Sequence, residues 1–116
     1  MKTITAGLCE GRHNLPVDTF IFPAVVQPLE TEQLEKQAFE WLSERFPEQE
    51  LRCVKNVDCD VRDVYKGKLS LYVTGLSAAL VAVINACYKI GVDVSLFHYD
   101  RETGDYYHQQ VWSKFA

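Results

Sequence analysis

Three short clusters hold the side chains of this chain that could do chemistry. Residues 97–110, FHYDRETGDYYHQQ, pack aromatic rings, His98, Asp100, Arg101 and His108 into one span. That mixture suits stacking on a base and pairing a phosphate with a planar guanidinium. Near the start, CEGRHNLP offers Arg12, His13 and Asn14 beside Gly11. Between the two, TGLS sets Thr74, Gly75, Leu76 and Ser77 in a turn ahead of an apolar helix. A helix N-terminus presents backbone N–H groups and partial positive charge, and the hydroxyls of Thr74 and Ser77 can donate to a phosphate or cap the helix. The motif is much weaker than a Walker loop or a full dinucleotide fingerprint, neither of which occurs here, and a plain capped turn reads equally well.

Asn85 is the sharpest single position. Leu80, Val81, Val83, Ile84, Cys87 and Ile90 surround it in sequence, so its amide must face a polar cavity, a symmetry mate or a satisfied place in the core. Left buried and unpaired it would cost about 1–3 kcal/mol.

Catalysis has less to work with. His13, His98 and His108 are the plausible general bases. Neither polar loop shows a nucleophile with an adjacent base or the paired carboxylates of a glycosidase, so binding is the more economical reading. Cys9, Cys53, Cys59 and Cys87 have neither C-x-x-C spacing nor a nearby pair of histidines, which argues against zinc, and Cys87 reads as a small core hydrophobe. Asp58 and Asp60 have no third ligand beside them and read as solvated. Neither a metal nor a cofactor is expected.

The elements that must position these residues can be read from patterning. Thr3 to Cys9 is a β-branched first strand, and Thr19 to Val26 is a second whose Pro23 places it at a sheet edge. Leu34, Ala38, Trp41, Leu42 and Phe46 recur at helical spacing, with Thr31 as the cap, a Glu32–Lys36 pair on the outer face and Pro47 as the stop. Glu50 to Lys55 is a short strand. Residues 56–68 are either an exposed connection or an edge strand, CDVRDVY. Lys68 to Val73 is a strand leading through Gly75 into a helix that ends at Ile90, with Gly91 in the left-handed position. VDVSLFHYD and YYHQQVW then pair as a hairpin around Gly104. The expected fold is α+β: a small mixed or antiparallel sheet of about five strands with two helices, containing one strand-helix-strand unit and a C-terminal hairpin.

The chain of 116 residues, 47% hydrophobic, has the size of one domain spanning residues 1–116. A formal charge of −4 argues against gripping a DNA or RNA polymer, which needs a basic face. No apolar run approaches the ~20 residues of a membrane span, and MKTITAGLCEG alternates where a signal peptide would be continuously apolar. These features predict a soluble, cytoplasmic protein with no membrane partner.

Taken together, TITAGLCEGRH, LYVTGLSAALVAVINACYKIG and LFHYDRETGDYY resemble, in layout and in a few polar positions over most of the chain, the small phage proteins that counter the Thoeris bacterial defence by sequestering its nucleotide signal. The resemblance implies a small sheet flanked by two helices, assembly into a homodimer or higher homo-oligomer, and binding of glycocyclic ADP-ribose isomers without cleavage. Some members also hold cyclic oligonucleotides in separate pockets. It further implies an Asn contact at Asn85 and an Arg contact at Arg101, with Arg12 as a third contact by position. Asn85 would then face a pocket at a subunit interface closed by Arg101, with Thr74, Gly75, Leu76, His98 and Asp100 completing the set of ligand-binding candidates. The working compartment would be the cytoplasm of the infected host. Two readings compete with it. One is a ring-nuclease-like enzyme, since the YVTGL turn is also similar to CRISPR-associated nucleotide-sensing folds and His13 or His98 could orient a ribose 2′-hydroxyl. The other is an interaction protein without a ligand, in which Asn85 only fixes a dimer register.

Overall fold

The computed structural model describes residues 2–10, 16–23, 30–46, 50–53, 62–65, 67–74 and 76–111. Arg12, His13, Asn14, Asp58, Cys59, Asp60 and Gly75 lie outside the described residues.

Nine elements follow one another: β1 (Thr3–Cys9), β2 (Phe20–Phe22), α1 (Thr31–Arg45), β3 (Glu50–Cys53), β4 (Arg62–Tyr65), β5 (Gly67–Tyr72), α2 (Ser77–Ile90), β6 (Val92–Tyr99) and β7 (Tyr106–Gln110). The main sheet has the order β2-β1-β5-β6-β7. Its first four strands are mutually parallel and β7 runs antiparallel to β6, which makes the α+β sheet mixed. β2 lies at the edge, with Pro23 directly after it, where a missing N–H costs no ladder bond. β3 and β4 pair antiparallel as a separate two-stranded sheet, so of the two readings of residues 56–68 the strand applies from Arg62 to Tyr65.

The strand order explains where the helices sit. The connections from β2 to β5 and from β5 to β6 advance in the same direction across the sheet, and right-handed crossovers in one direction place both helices on one face. α1 packs on β2, α2 packs on β6, and the two helices pack against each other. Register then sorts the strands by alternation. Ile4, Ala6, Leu8, Leu69, Leu71, Val92, Val94 and Leu96 face the helices, and all except the half-buried Ile4 are buried. Leu34, Ala38 and Leu42 of α1 and Ala79, Ala82, Val83, Ala86, Cys87 and Ile90 of α2 close the core from above.

Helix starts differ from the sequence expectation. The Leu34 N–H donates to the carbonyl of Glu30 at 3.1 Å, which opens the ladder one residue early, so Glu30 holds the cap position and Thr31 is the first helical residue. The Leu80 N–H likewise donates to the Leu76 carbonyl at 3.1 Å, so Leu76 and neither Thr74 nor Ser77 takes the cap of α2. No side chain closes either first turn. Gly91 ends α2 at φ 101°, as its position predicts. The Glu32–Lys36 pair is not formed among the described residues; Glu35 instead takes Lys89 and ties α1 to α2.

Candidate functional site

Because β2 and β5 are parallel and each leads into a helix, α1 and α2 both begin at the carboxyl end of the sheet. That end is where open sheets of this kind collect ligands. A groove of about 480 Å³ runs between the two helices, lined by Thr31, Glu32 and Glu35 on α1 and by Ser77, Ala78, Val81, Ala82 and Asn85 on α2. Its volume lies within the range of about 300–1,000 Å³ usual for small-molecule sites. Small residues, Ala78 and Ala82, keep its floor low.

Asn85 lines the inner end of this groove and is exposed. The requirement that its amide avoid the apolar core is thereby met, since α2 buries the face carrying Ala79, Val83, Ala86 and Ile90 and turns Asn85 away from it. Asn85 stands eight residues past Ser77, about 12 Å along the helix at 1.5 Å per residue.

The two helix starts are electrostatically unequal. α1 carries Glu32 in its first turn, which already answers the positive end of that helix. α2 carries no acid there. An anionic group entering the groove is therefore favoured at Ser77 and disfavoured at Thr31. Lys89 partly neutralises Glu35 farther down.

Thr74 lies just ahead of α2. It is 4% exposed, and its hydroxyl has no hydrogen-bond partner among the described residues. Leu76 is half-buried and packs on the core. Behind the sheet face turned from the helices, Tyr72 stacks on Phe97 with ring centroids 5.0 Å apart and meets Tyr106 edge-on at 4.9 Å, while Tyr99 lies 5.4 Å from Tyr106. Partial burial, then the nearby Tyr99 and Tyr72, raise the phenol of Tyr106 above its ordinary value.

The β6–β7 turn has its own internal logic. Asp100 accepts from the Glu102 N–H through Oδ1 at 3.0 Å and from the Thr103 hydroxyl through Oδ2 at 3.2 Å, and Gly104 takes φ 75°. Asp100 thus holds the turn with both carboxylate oxygens. Arg101 is exposed and makes no hydrogen bond or ion pair with any described residue. His98 has Nε2 2.8 Å from Gln109 Oε1 and stacks on Tyr107 at 5.2 Å. His108 packs on Phe97 at 5.4 Å.

Within one chain, the groove holding Asn85 is walled by α1 and α2, and Arg101 stands on the hairpin tip outside that lining. Arg101 follows β6 at the carboxyl end of the sheet, whereas Asn85 stands past the middle of α2, so one chain does not bring the two together. Arg12 and Gly75 lie outside the described residues. The α1 wall of the groove escaped sequence reasoning: Glu32 and Glu35 read as a solvated helix face, and only the same-direction crossovers reveal that this face meets α2.

Among the described residues no group of three His, Cys, Asp or Glu side chains is placed to hold a metal ion, and no helix is long and apolar enough to cross a membrane. Cys9 and Cys87 are buried, and burial, with Asp93 adding, pushes the Cys87 thiol far up. No protein family, curated protein or solved structure matches the chain.

Proposed function

We propose that this protein binds a small cyclic nucleotide signal, of the glycocyclic ADP-ribose class, and sequesters it without cleaving it, as do the phage anti-defence proteins its sequence resembles. The observation that carries the reading is the groove between α1 and α2, which opens at the acid-free start of α2 and ends at the amide of Asn85. A phosphate suits the Ser77 end, where N–H groups and the helix dipole favour an anion. A base or ribose edge suits Asn85, whose amide both donates and accepts. Arg101, with no partner among the described residues, supplies a guanidinium for a second phosphate, and Arg12 is assigned the same role by position. Thr74 and Leu76 lie just ahead of α2, Gly75 is assigned to the same ligand contact from the sequence alone, and Asp100 and His98 hold the hairpin that presents Arg101. Cyclic oligonucleotides are the second ligand class. The protein would act in the cytoplasm of the infected bacterium as a homodimer or higher homo-oligomer.

The test is to incubate the pure protein with cyclic ADP-ribose isomers and cyclic oligonucleotides, filter, and identify by mass spectrometry what passes and what is released on heating. Intact ligand recovered only after heating is expected. Cleaved product in the filtrate would replace sequestration with a ring-nuclease activity, and untouched ligand in the filtrate would leave an interaction protein.

A further inference from the structure

The outer edge of β7 has the features of an assembly surface. β7 is the last strand of the main sheet, and no described strand pairs with its far side. The Val111 N–H donates to the Val94 carbonyl and the Asp100 N–H to the Asp105 carbonyl, so residues 105, 107, 109 and 111 turn their backbone groups inward to β6. Tyr106, His108 and Gln110 consequently turn theirs outward. Proteins protect such an edge with Lys, Pro, a bulge or a very short strand. β7, Tyr-Tyr-His-Gln-Gln, has five residues and no charge, proline or break in its register.

The helix layer continues the same uncharged surface. The groove and α1 occupy one flank of α2, at Ala78, Ala82, Asn85 and Lys89, so helical geometry sends Leu80, Ile84 and Tyr88 to the other flank. That flank points toward β7, because α1 sits over β2 and α2 over β6. Tyr88 is 51% exposed and Tyr107, on the helix side of β7, is 57% exposed.

We propose that this edge joins a second copy of the chain, β7 pairing antiparallel with its own counterpart about a two-fold axis at His108. In that register Tyr106 faces Gln110 of the second copy and His108 faces His108, so every outward N–H and carbonyl of these residues finds a partner. The two sheets become one, and the Leu80, Ile84 and Tyr88 flanks face each other across the paired β7 strands, about three strand spacings apart. A second copy is the fitting occupant because each chain carries a net charge of −4. Two like-charged copies associate where neither bears charge, and neither β7 nor α2 from Ser77 to Tyr88 contains a charged residue. A partner recruited by opposite charge would find nothing to pair with here. The proposal does not depend on the ligand.

Sedimentation equilibrium and amide hydrogen exchange of the ligand-free protein test it. The expected mass is twice that of one chain, with the amides of Tyr106, His108 and Gln110 protected in the dimer. His108→Pro removes an outward N–H and leaves the β6 ladder intact, so it should give the mass of one chain while Tyr107 and Gln109 stay protected. A single-chain mass for the unmodified protein would overturn the proposal. So would a dimer whose Tyr106, His108 and Gln110 amides exchange as fast as those of the hairpin tip, a measurement that needs no variant. A folded His108→Pro protein that keeps the doubled mass would overturn it as well.

Discussion

Tyr107 stacks on His98 across the β6–β7 ladder, ring centroids 5.2 Å apart, while the same His98 reaches Gln109 through Nε2 at 2.8 Å. One imidazole therefore fastens two successive same-face residues of the terminal strand. The strand is held straight and in register, and the hairpin tip carrying Arg101 is set by that register and by the Asp100 turn.

Arg101→Ala and Asn85→Ala should each weaken retention of a cyclic nucleotide about tenfold or more, the usual worth of a charged or amide hydrogen bond to a ligand. Both residues are exposed, so urea unfolding should move by no more than about 0.5 kcal/mol. Unaltered retention in both variants would remove the proposed site.

Thr74→Val tests the buried hydroxyl ahead of α2. The hydroxyl is buried without a partner among the described residues, so replacing it by a methyl group of the same shape should raise the unfolding free energy by about 1 kcal/mol. Chemical denaturation measures this directly. A loss of stability would mean that the hydroxyl is satisfied in solution.

Gly67→Ala should be costly. Gly67 has φ 140°, and a Cβ there would press on the Lys2 carbonyl and lie 3.0 Å from the Phe46 ring. Backbone strain together with overpacking predicts a loss of about 2–4 kcal/mol, read as a lower urea midpoint. A change below about 0.5 kcal/mol would show that the Lys2 backbone and Phe46 can yield at this point.

Alkaline pH should destabilise the fold through Cys87. Burial first, then Asp93, raises the folded thiol above its ordinary value of 9.0, so the folded state keeps a proton that the unfolded chain releases. The stability contributed is fully present below pH 9 and is lost as pH rises beyond it, at about 1.4 kcal/mol per pH unit. The raised phenol of Tyr106 acts with the same sign above pH 10. Cys87→Ala should flatten the dependence between pH 9 and pH 10, and an unchanged slope would assign it to other groups.

Periodicity carried most of the fold. The β-branched start, the two helices, Gly91 after α2 and Gly104 in the hairpin lie where spacing and turn chemistry placed them, because those signals are local. Capping was misread at Thr31: a cap residue is chosen by where the first i to i−4 bond forms, and the carbonyl of Glu30 accepts it. Residues 62–65 stayed ambiguous because Val61 and Val64 give no clean alternation, and their pairing with β3 is a nonlocal fact. The site was half legible. Asn85 announced itself as a polar residue in an apolar helix, whereas the α1 wall depends on strand order, which no single stretch of sequence encodes.

The cluster of Tyr72, Phe97, Tyr99 and Tyr106 has a practical consequence. Rings fixed at close, unequal angles give asymmetric near-ultraviolet absorption. All four belong to β5, β6 and β7 on the face away from the helices, so the chain has an intrinsic optical gauge of order in the hairpin. The tyrosine bands of the near-ultraviolet circular dichroism would report order in the terminal strands, with Trp41 of α1 adding its own band at longer wavelength, and the far-ultraviolet helix signal would follow α1 and α2.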